Sequence, residues 1–307
     1  TDLLLELQGW GNQTTGGYGG APIIVSDLVG LRAALESPDP AYVTFAPGIT
    51  IAVNTPIMVK SNKTLDGRGS GVTIKGSKEI RALWLQGVEN IIVSDITFDG
   101  QWTNYSSSAD ANGDAITLHG TNNIWVHHCK ITHWADGAVD CKPDTLNTNI
   151  SITWNRILEQ YKLCMCHGDR FSLGYNYLKK IGFRFPLAGG QSIVNTGRVH
   201  SYNNLIEDWQ KDLIQYCKNK GQIYSHRNLW VPKRTSRVND GKSSGDIIKI
   251  DTPKTYGSVT FNPTNPNVDP QFIADSVALA DLTICNTNAE WDALRARLVA
   301  ETGPRIS

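Results

Sequence analysis

Two aspartates stand four residues apart where a predicted strand begins, and a third opens an earlier strand. Asp136 and Asp140 bound the segment DGAVD, and Asp114 begins the segment DAI. Several carboxylates brought together make an oxygen-rich site that suits Ca²⁺ better than Zn²⁺. By spacing alone, surface aspartates in turns are the commoner explanation. A calcium site at these residues therefore requires a fold that sets their strands side by side.

Cations and histidines are scattered through the same part of the chain. Lys162 and Arg184 stand further along the chain, and each alone is typical of a solvated surface side chain. His127, His128 and His133 invite a zinc site, but no Cys/His spacing matches a structural one. Residues 127 and 133 are not expected to converge, so we do not predict zinc.

A degenerate repeat supplies the elements that position these residues. Each copy is a short strand with alternating apolar residues, a turn residue and a closing hydrophobic residue. Copies start roughly twenty to thirty residues apart, with one longer interval. They begin at Asn90, Asn123, Asn149, Phe171, Arg198 and Gln222. A unit of this size cannot bury its apolar face alone, so stacked copies in a solenoid are expected.

The repeats lack amphipathic helices of repeat length, which argues against leucine-rich and helical solenoids. We therefore predict an all-β fold, a right-handed parallel β-helix, with residues 1–307 as a single domain. Asn155, Asn176, Asn204 and Asn228 hold equivalent places, two residues before the closing hydrophobic residue. Stacked at one corner, their amides would hydrogen-bond each other and the turn backbone.

Short helices are expected beside the strands. Residues 26–37 (SDLVGLRAALES) read as a helix with a Ser or Asp cap, and residues 290–301 as a second. The first helix would suit one end of the solenoid, where an open stack exposes β edges.

Composition excludes several classes of protein. Lys and Arg number 29, equal to Asp and Glu, so the basic excess of a nucleic-acid binder is missing. No apolar run is long enough for a membrane span. The sequence starts at Thr1 without a signal-peptide pattern, which we interpret as a processed or trimmed end. The six cysteines form no disulfide framework, so we expect buried free thiols in preference to a structural disulfide among some of them. We also expect the protein to be secreted and monomeric.

The segment from Gly113 to Asn204 resembles the pectate lyases of polysaccharide lyase family 1. The motifs are DAI from Asp114, NIWVxHC from Asn123, DGAVD from Asp136, ISITWN from Ile150, Lys162, RxP from Arg184 and VHxYNN from Val199. Upstream, TTGGYGG from Thr14 and SNKTLDGRG from Ser61 resemble the family's early motifs. Each motif is weak alone, but their shared order is specific.

The resemblance implies a role for each matching residue. Asp114, Asp136 and Asp140 match the positions that hold calcium in this family. Arg184 matches the catalytic base, and Lys162 matches a residue that grips the substrate carboxylate. The expected reaction is calcium-dependent β-elimination in polygalacturonate or a related acidic, uronate-containing polysaccharide.

The sequence departs from the family pattern at three places. His127 stands where an Asp is usual, and Gly189 stands where a second Arg commonly follows the base by five residues. The stretch from Arg184 to Val199 is also longer than usual, and it holds residues 187–196. Arg198 is our candidate for the missing substrate-binding cation.

Two other functions stay open at this point. Many β-helix enzymes are hydrolases with paired acids, and Asp136 and Asp140 could form such a pair. Other β-helices bind carbohydrate without catalysis, for example in tail fibres, and the nine Trp and ten Tyr could line a sugar-binding groove.

Overall fold

The chain winds through three long parallel sheets. The computed structural model describes residues 2–104, 112–189, 197–211, 214–233, 236–237, 247–261 and 265–306. Each turn adds a strand to sheet 1, then to sheet 2, then to sheet 3, and neighbouring strands in each sheet come from successive turns. The parallel β-helix predicted from the repeat is confirmed.

The three sheets differ in the number of strands. Sheet 1 has ten strands, Ile23–Val25, Ala41–Phe45, Lys63–Asp66, Glu89–Ser94, Asn122–His127, Asn147–Thr153, Gly168–Gly174, Gly197–Tyr202, Gln222–His226 and Ile247–Asp251. Sheet 2 has nine, Thr50–Ala52, Thr73–Lys75, Thr97–Asp99, Lys130–Thr132, Arg156–Lys162, Tyr177–Phe183, Leu205–Trp209, Leu229–Val231 and Lys254–Thr255. Sheet 3 has seven, Ile57–Val59, Leu83–Gln86, Ile116–His119, Val139–Cys141, Cys164–Cys166, Leu187–Ala188 and Tyr216–Cys217. A separate pair joins Ser236–Arg237 to Val259–Thr260.

Alternate residues of each strand point into the core or out of it, as the period of two requires. In the strand Asn122–His127, Ile124 and Val126 pack in the continuous core, whereas Trp125 packs outside it with Leu3. All six cysteines are buried, and no disulfide joins them in the described part of the chain, as the sequence predicted.

The asparagine ladder is confirmed at the corner between sheets 1 and 2. Each side-chain amide donates to the carboxamide oxygen of the next asparagine, over 3.1 Å from Asn155 to Asn176 and 2.9 Å at the two following steps, to Asn204 and to Asn228. The same oxygens accept the backbone N–H groups of the preceding ladder residues, so these buried polar groups are paired.

Three α-helices flank the sheets. Helix α1, Leu28–Glu36, is capped by Asp27, whose carboxylate accepts the N–H of Gly30. The helix packs on the first turns of the β-helix. Helix α3, Asn288–Glu301, begins at Thr287 with a capping box. Both confirm the sequence prediction. Helix α2, Pro270–Leu279, was not predicted, and two 3₁₀ turns, Leu3–Glu6 and Gly9–Gly11, precede the first strand.

Helix α3 and the residues after it run back over the earlier turns of the β-helix. The contacts follow one another in reverse chain order, from Tyr256–Asp292 (2.7 Å) through Glu207–Arg295 (2.8 Å) and Trp154–Gly303 (3.0 Å) to Asp95–Arg305 (2.7 Å). We call the segment from Asp292 to Arg305 the return strap. In the described part of the chain, no helix is long and apolar enough to cross a membrane.

Candidate active site

The three predicted aspartates meet at the corner between sheets 2 and 3. Asp114 stands two residues before a sheet 3 strand. One turn later, Asp136 stands three residues before the next strand of that sheet and Asp140 lies within it. The register pairs Thr117 with Asp140, and the N–H of Gly137 donates to Asp114 over 2.7 Å. One carboxylate oxygen from each aspartate lies within 4.8 Å of the others. The stacking of turns therefore brings Asp114 together with two acids that stand 22 and 26 residues further along the chain.

Burial and mutual repulsion shape the charge of this cluster. Burial raises the pKa of Asp140 to about 7, and Asp114 and Asp136 push it in the same direction, whereas Lys142 and Arg184 oppose them. Burial also raises the pKa of Asp114, against the opposing effect of Lys142 at 3.2 Å. Like charges close together in a site with little water favour either a proton or a bound cation.

The donor set fits a hard cation. The three predicted ligands are carboxylates, and no His or Cys belongs to the described cluster. Oδ1 of Asp140 accepts a hydrogen bond from the N–H of Met165, and Oδ1 of Asp136 accepts one from the ammonium of Lys162. No described group hydrogen-bonds the second oxygen of either carboxylate. Free carboxylate oxygens facing a common point are the ligands that Ca²⁺ prefers.

Lys162 and Arg184 come from successive strands of sheet 2. Lys162 ends one strand and pairs in register with Phe183, directly before Arg184. The ammonium of Lys162 lies 2.5 Å from Asp136. Nε of Arg184 donates to the hydroxyl of Tyr216 over 3.1 Å, and its guanidinium makes no ion pair with a described residue. Arg184 is therefore a cation in a cleft without a neutralising partner.

These residues line one cleft of about 370 Å³. The lining combines acids and bases, namely Asp136, Asp140, Lys142, Lys162, Arg184 and Lys218. Asp114 lies buried beneath it and bonds to the cleft residue Lys142. The cleft thus offers a place for a cation next to several groups that can hold an anion.

Arg198 does not join this cleft. Its guanidinium forms two bonds to Asp169, of 2.6 and 2.8 Å, and a third to Asp269 of 3.0 Å. It also lies 5.3 Å from the ring of Phe272 in α2. Two carboxylates already neutralise Arg198, so contact with a substrate carboxylate would require it to leave both. This placement does not fit the substrate-binding role expected of it.

Two cleft lysines were missed by the sequence analysis. Lys142 stands two residues after Asp140 and directly after the strand Val139–Cys141, and the period of two places both side chains on the same face. That spacing could have identified it. Lys218 lies one turn beyond Arg184, directly after the strand Tyr216–Cys217, and no motif marks it.

Gly189, where a second Arg was expected, has no room for a side chain. Its φ is +82°, and a Cβ there would lie 2.0 Å from the carbonyl oxygen of Lys218. The backbone of the next turn thus occupies the space that an Arg side chain would need. The lengthened stretch from 187 to 196 is described as far as Gly189, and residues 190–196 lie outside the described residues.

Comparison with known proteins agrees with the geometry. The pectate lyase family model matches residues 41–268. Probable pectate lyase 16 of Arabidopsis thaliana is 28% identical, and the alignment covers 94% of this chain and 83% of the relative. Probable pectate lyase 13 of the same plant is 27% identical over 78% of this chain, which spans only 51% of that relative.

A solved structure shares the fold over nearly its whole length. The pectate lyase of Bacillus sp. N165, crystallised in complex with trigalacturonate, superposes with a TM-score of 0.70. The superposition covers 98% of this chain and 99% of that one at 17% sequence identity. Because the family model spans most of the chain, this protein belongs to the pectate lyase family, a family of polysaccharide lyases.

Proposed function

We propose that this protein cleaves polygalacturonate, or a related uronate polysaccharide, by calcium-dependent β-elimination with Arg184 as the base. The observation that carries the proposal is the cleft itself. Three carboxylates converge beside Lys162, Arg184 and Lys218, so a cation site and an anion site adjoin. A polymer of sugar acids presents a carboxylate on every residue and fits such a surface. The trigalacturonate bound by the Bacillus relative belongs to this substrate class.

The reaction begins with loss of the C5 proton, which lies α to the uronate carboxylate. A neutral guanidine nitrogen of Arg184 takes this proton, and the C–H electron pair forms a double bond between C4 and C5. The bond from C4 to the glycosidic oxygen breaks, and that oxygen takes up a proton from water. The products are an unsaturated uronate end and a new reducing end. The hydroxide left by that water takes the proton back from Arg184, so the base is restored and no net water or oxidant is consumed.

Lys162 acts on the charge that builds up during proton loss. The C5 proton is a weak acid because its removal places negative charge on the adjacent carboxylate. A cation held at that carboxylate lowers the barrier, commonly by several kcal/mol. The ammonium of Lys162, 2.5 Å from Asp136, can exchange that carboxylate for one of the substrate. A bound Ca²⁺, held by Asp114, Asp136 and Asp140, would supply further positive charge to the substrate carboxylate.

Arg184 is suited to the role of base by what surrounds it. Its guanidinium bonds to a neutral hydroxyl, that of Tyr216, and to no described carboxylate. Lys162 and Lys218 line the same cleft. A salt-bridged arginine such as Arg198 would hold its proton more tightly.

Hydrolysis is the second candidate, and one observation favours it. The pKa of Asp140, raised to about 7, is that of a general acid at neutral pH. Asp136 or Asp114 would then act as the partner carboxylate. Against this, a hydrolase has no evident use for the row of cations in the cleft.

The first experiment follows ultraviolet absorbance of the unsaturated product during incubation with polygalacturonate. We expect absorbance to rise with Ca²⁺ and to stop with excess chelator. Arg184→Ala should lower the rate by about 10²- to 10⁴-fold, and Arg184→Lys should recover little of it. The control is Arg170→Ala, an arginine about half exposed outside the cleft.

Other outcomes identify the alternatives. New reducing ends without absorbance would establish a hydrolase. Neither signal, on a panel of uronate polymers, would leave a carbohydrate-binding β-helix. An unaltered rate in Arg184→Ala would refute the assignment of the base.

We also propose that the enzyme acts outside the cell, where a polymer of this size is encountered, and that it acts as a monomer. The described cleft supports the second point, because its acids and cations all come from one chain. The sheets continue from turn to turn, which fits a single catalytic domain over residues 1–307.

A further inference from the structure

A second group of ligand atoms lies outside the active-site cleft, at the end of a sheet 1 strand. Nε2 of His127 is 2.8 Å from Oε2 of Glu6 and 2.7 Å from Nδ1 of His128. The three atoms all lie within 4.8 Å of one another. The 3₁₀ turn Leu3–Glu6 packs over the strand here, so residues 121 positions apart in the chain meet.

Neighbouring residues hold the ligand atoms in position. Nδ1 of His127 lies 3.1 Å from the hydroxyl of Thr153, which also accepts the indole N–H of Trp125 over 2.9 Å. When Nδ1–H donates to Thr153, Nε2 carries a lone pair that faces Glu6 and His128. A hydrogen bond at one ring nitrogen that orients the other is the usual support of a metal-binding histidine.

Two hydrogen bonds hold the carboxylate of Glu6 in place. Arg305 donates to both oxygens of Glu6, over 2.7 and 2.9 Å. A carboxylate and imidazole nitrogens that neighbouring residues hold in position are groups that can bind a metal ion.

A single proton on Nε2 of His127 cannot make a full hydrogen bond in both of the short contacts of that nitrogen. A hydrogen on Nε2 of His127 lies on the line to Glu6 or on the line to His128, and the other short contact then lacks a full hydrogen bond. A metal ion between the three atoms bonds to all of them at once. Two imidazoles and one carboxylate are ligands that suit zinc and similar ions, whereas calcium prefers oxygen alone.

We propose that Glu6, His127 and His128 bind one transition-metal ion of the zinc type. Bonds of about 2.0–2.1 Å would require the three atoms to separate by roughly half an ångström. A cleft of about 260 Å³ adjoins the three residues and gives the ion an entry path and room for a water ligand. Trp154 and Arg297 also line this cleft.

The ion would fasten distant segments together. Glu6 belongs to the 3₁₀ turn near the start of the chain, whereas His127 and His128 belong to a central turn of the β-helix. Arg305, which bonds to Glu6, belongs to the return strap. The expected role is therefore structural, and metal binding to the folded state alone raises stability. His133 offers no comparable site, because its two ring nitrogens contact different carboxylates, Asp99 and Glu159.

The test is calorimetric titration of the purified protein with Zn²⁺ in excess Ca²⁺, which occupies the aspartate cluster. We expect one equivalent of Zn²⁺ to bind and Tm to rise. His127→Asn and Glu6→Gln should each weaken binding by more than about 100-fold, and His133→Asn should leave it unchanged. Co²⁺ should give a visible absorption band that the same two variants abolish.

The Glu6→Gln variant is included because Glu6 is the most exposed of the three proposed ligands, so its substitution should disturb folding least. Failure of the wild-type chain to bind Zn²⁺ under these conditions would overturn the proposal. Equal binding by Glu6→Gln and the wild type, with both folded, would overturn it as well. The readout uses no catalytic activity, so it is independent of the proposed lyase function.

Discussion

Two corners of the same turns of the β-helix carry opposite kinds of residue. At the corner between sheets 1 and 2, one neutral residue recurs, and Asn155, Asn176, Asn204 and Asn228 pair in sequence. At and beside the corner between sheets 2 and 3, successive turns contribute Asp114, then Asp136 and Asp140, then Lys162, and then Arg184, while Lys218 follows the sheet 3 strand of the next turn. Repetition at the first corner pairs every amide, whereas variation at the second leaves charges that need a ligand. We therefore expect stability and the proposed function to depend on different corners.

The cost of the first corner is visible in its backbone. The residue before each asparagine has a positive φ, namely Trp154 (58°), Tyr175 (56°), Asn203 (49°) and Arg227 (54°). A non-glycine residue there costs on the order of 1 kcal/mol. The ladder offsets this cost, and so does outward stacking such as that of Trp154 on Tyr175, whose centroids are 4.6 Å apart.

The largest expected difference between the corners concerns Lys162. Lys162→Ala removes the cation expected at the substrate carboxylate, so kcat/KM should fall by about 10²- to 10³-fold with little change in Tm. Steady-state kinetics on polygalacturonate measure the first, and thermal unfolding the second. Lys179→Ala, about half exposed on the next turn, is the control and should retain full activity. A drop in Tm without loss of activity would reverse the contrast.

For the asparagine ladder we expect the converse, a loss of stability without a loss of activity. Asn176 accepts the N–H and amide of Asn155 and donates to Ile152 and Asn204, so Asn176→Ala leaves several buried groups unpaired. We expect the free energy of unfolding to fall by about 2 kcal/mol, measured by urea denaturation. The kcat of the folded fraction should stay unchanged. A large loss of kcat would show that the two corners are coupled.

A smaller effect is expected from pH. Because the pKa of Asp140 is raised to about 7, this ligand is protonated below that value and must lose a proton to bind Ca²⁺. Calcium affinity should therefore be about tenfold lower at pH 6 than at pH 8, by calorimetry. In the metal-free protein the same shift has the opposite sign, because ionisation of Asp140 lowers stability as pH rises from about 4 to about 7. Asp144→Asn, a change at an exposed aspartate, should alter neither trend.

The smallest effect should come from Lys218 at the far end of the cleft. Its ammonium has no hydrogen bond or ion pair with the described residues, so it is free to meet a sugar carboxylate. Lys218→Ala should raise KM about fivefold and leave kcat near the wild-type value. Lys220→Ala, an exposed neighbour, serves as the control. An unchanged KM would place substrate elsewhere in the cleft.

Much of the fold could be predicted because each copy of the repeat contains the sequence signals of its own strand and turn. Strand alternation and the four equivalent asparagines are visible within each copy, and α1 and α3 carry their own caps. Helix α2 escaped prediction because it follows a stretch without recognisable repeats. Its buried face is Phe272 against Tyr224 and Val268, a contact that only the folded chain defines.

The site was less accessible to prediction from sequence. The resemblance identified the three aspartates, Lys162 and Arg184, and the structure brings these five together. Arg198 was expected in the cleft and lies outside it, whereas Lys218 lines the cleft and was not predicted, because both positions depend on the path of the chain between neighbouring turns. The meeting of Glu6 with His127 likewise depends on how the first residues pack across a finished sheet.

The return strap changes how a stack of turns can come apart. A solenoid whose units touch only their neighbours can fray from either end, one turn at a time. Here Arg305 bonds to Asp95, which follows the fourth of the ten sheet 1 strands, while Asp292 bonds to Tyr256 beside the last turn. Peeling the last turn therefore pulls on a tether anchored several turns away. Opening at that end loses contacts at both places together, so the turns that the strap covers should resist stepwise unravelling and proteolytic nicking.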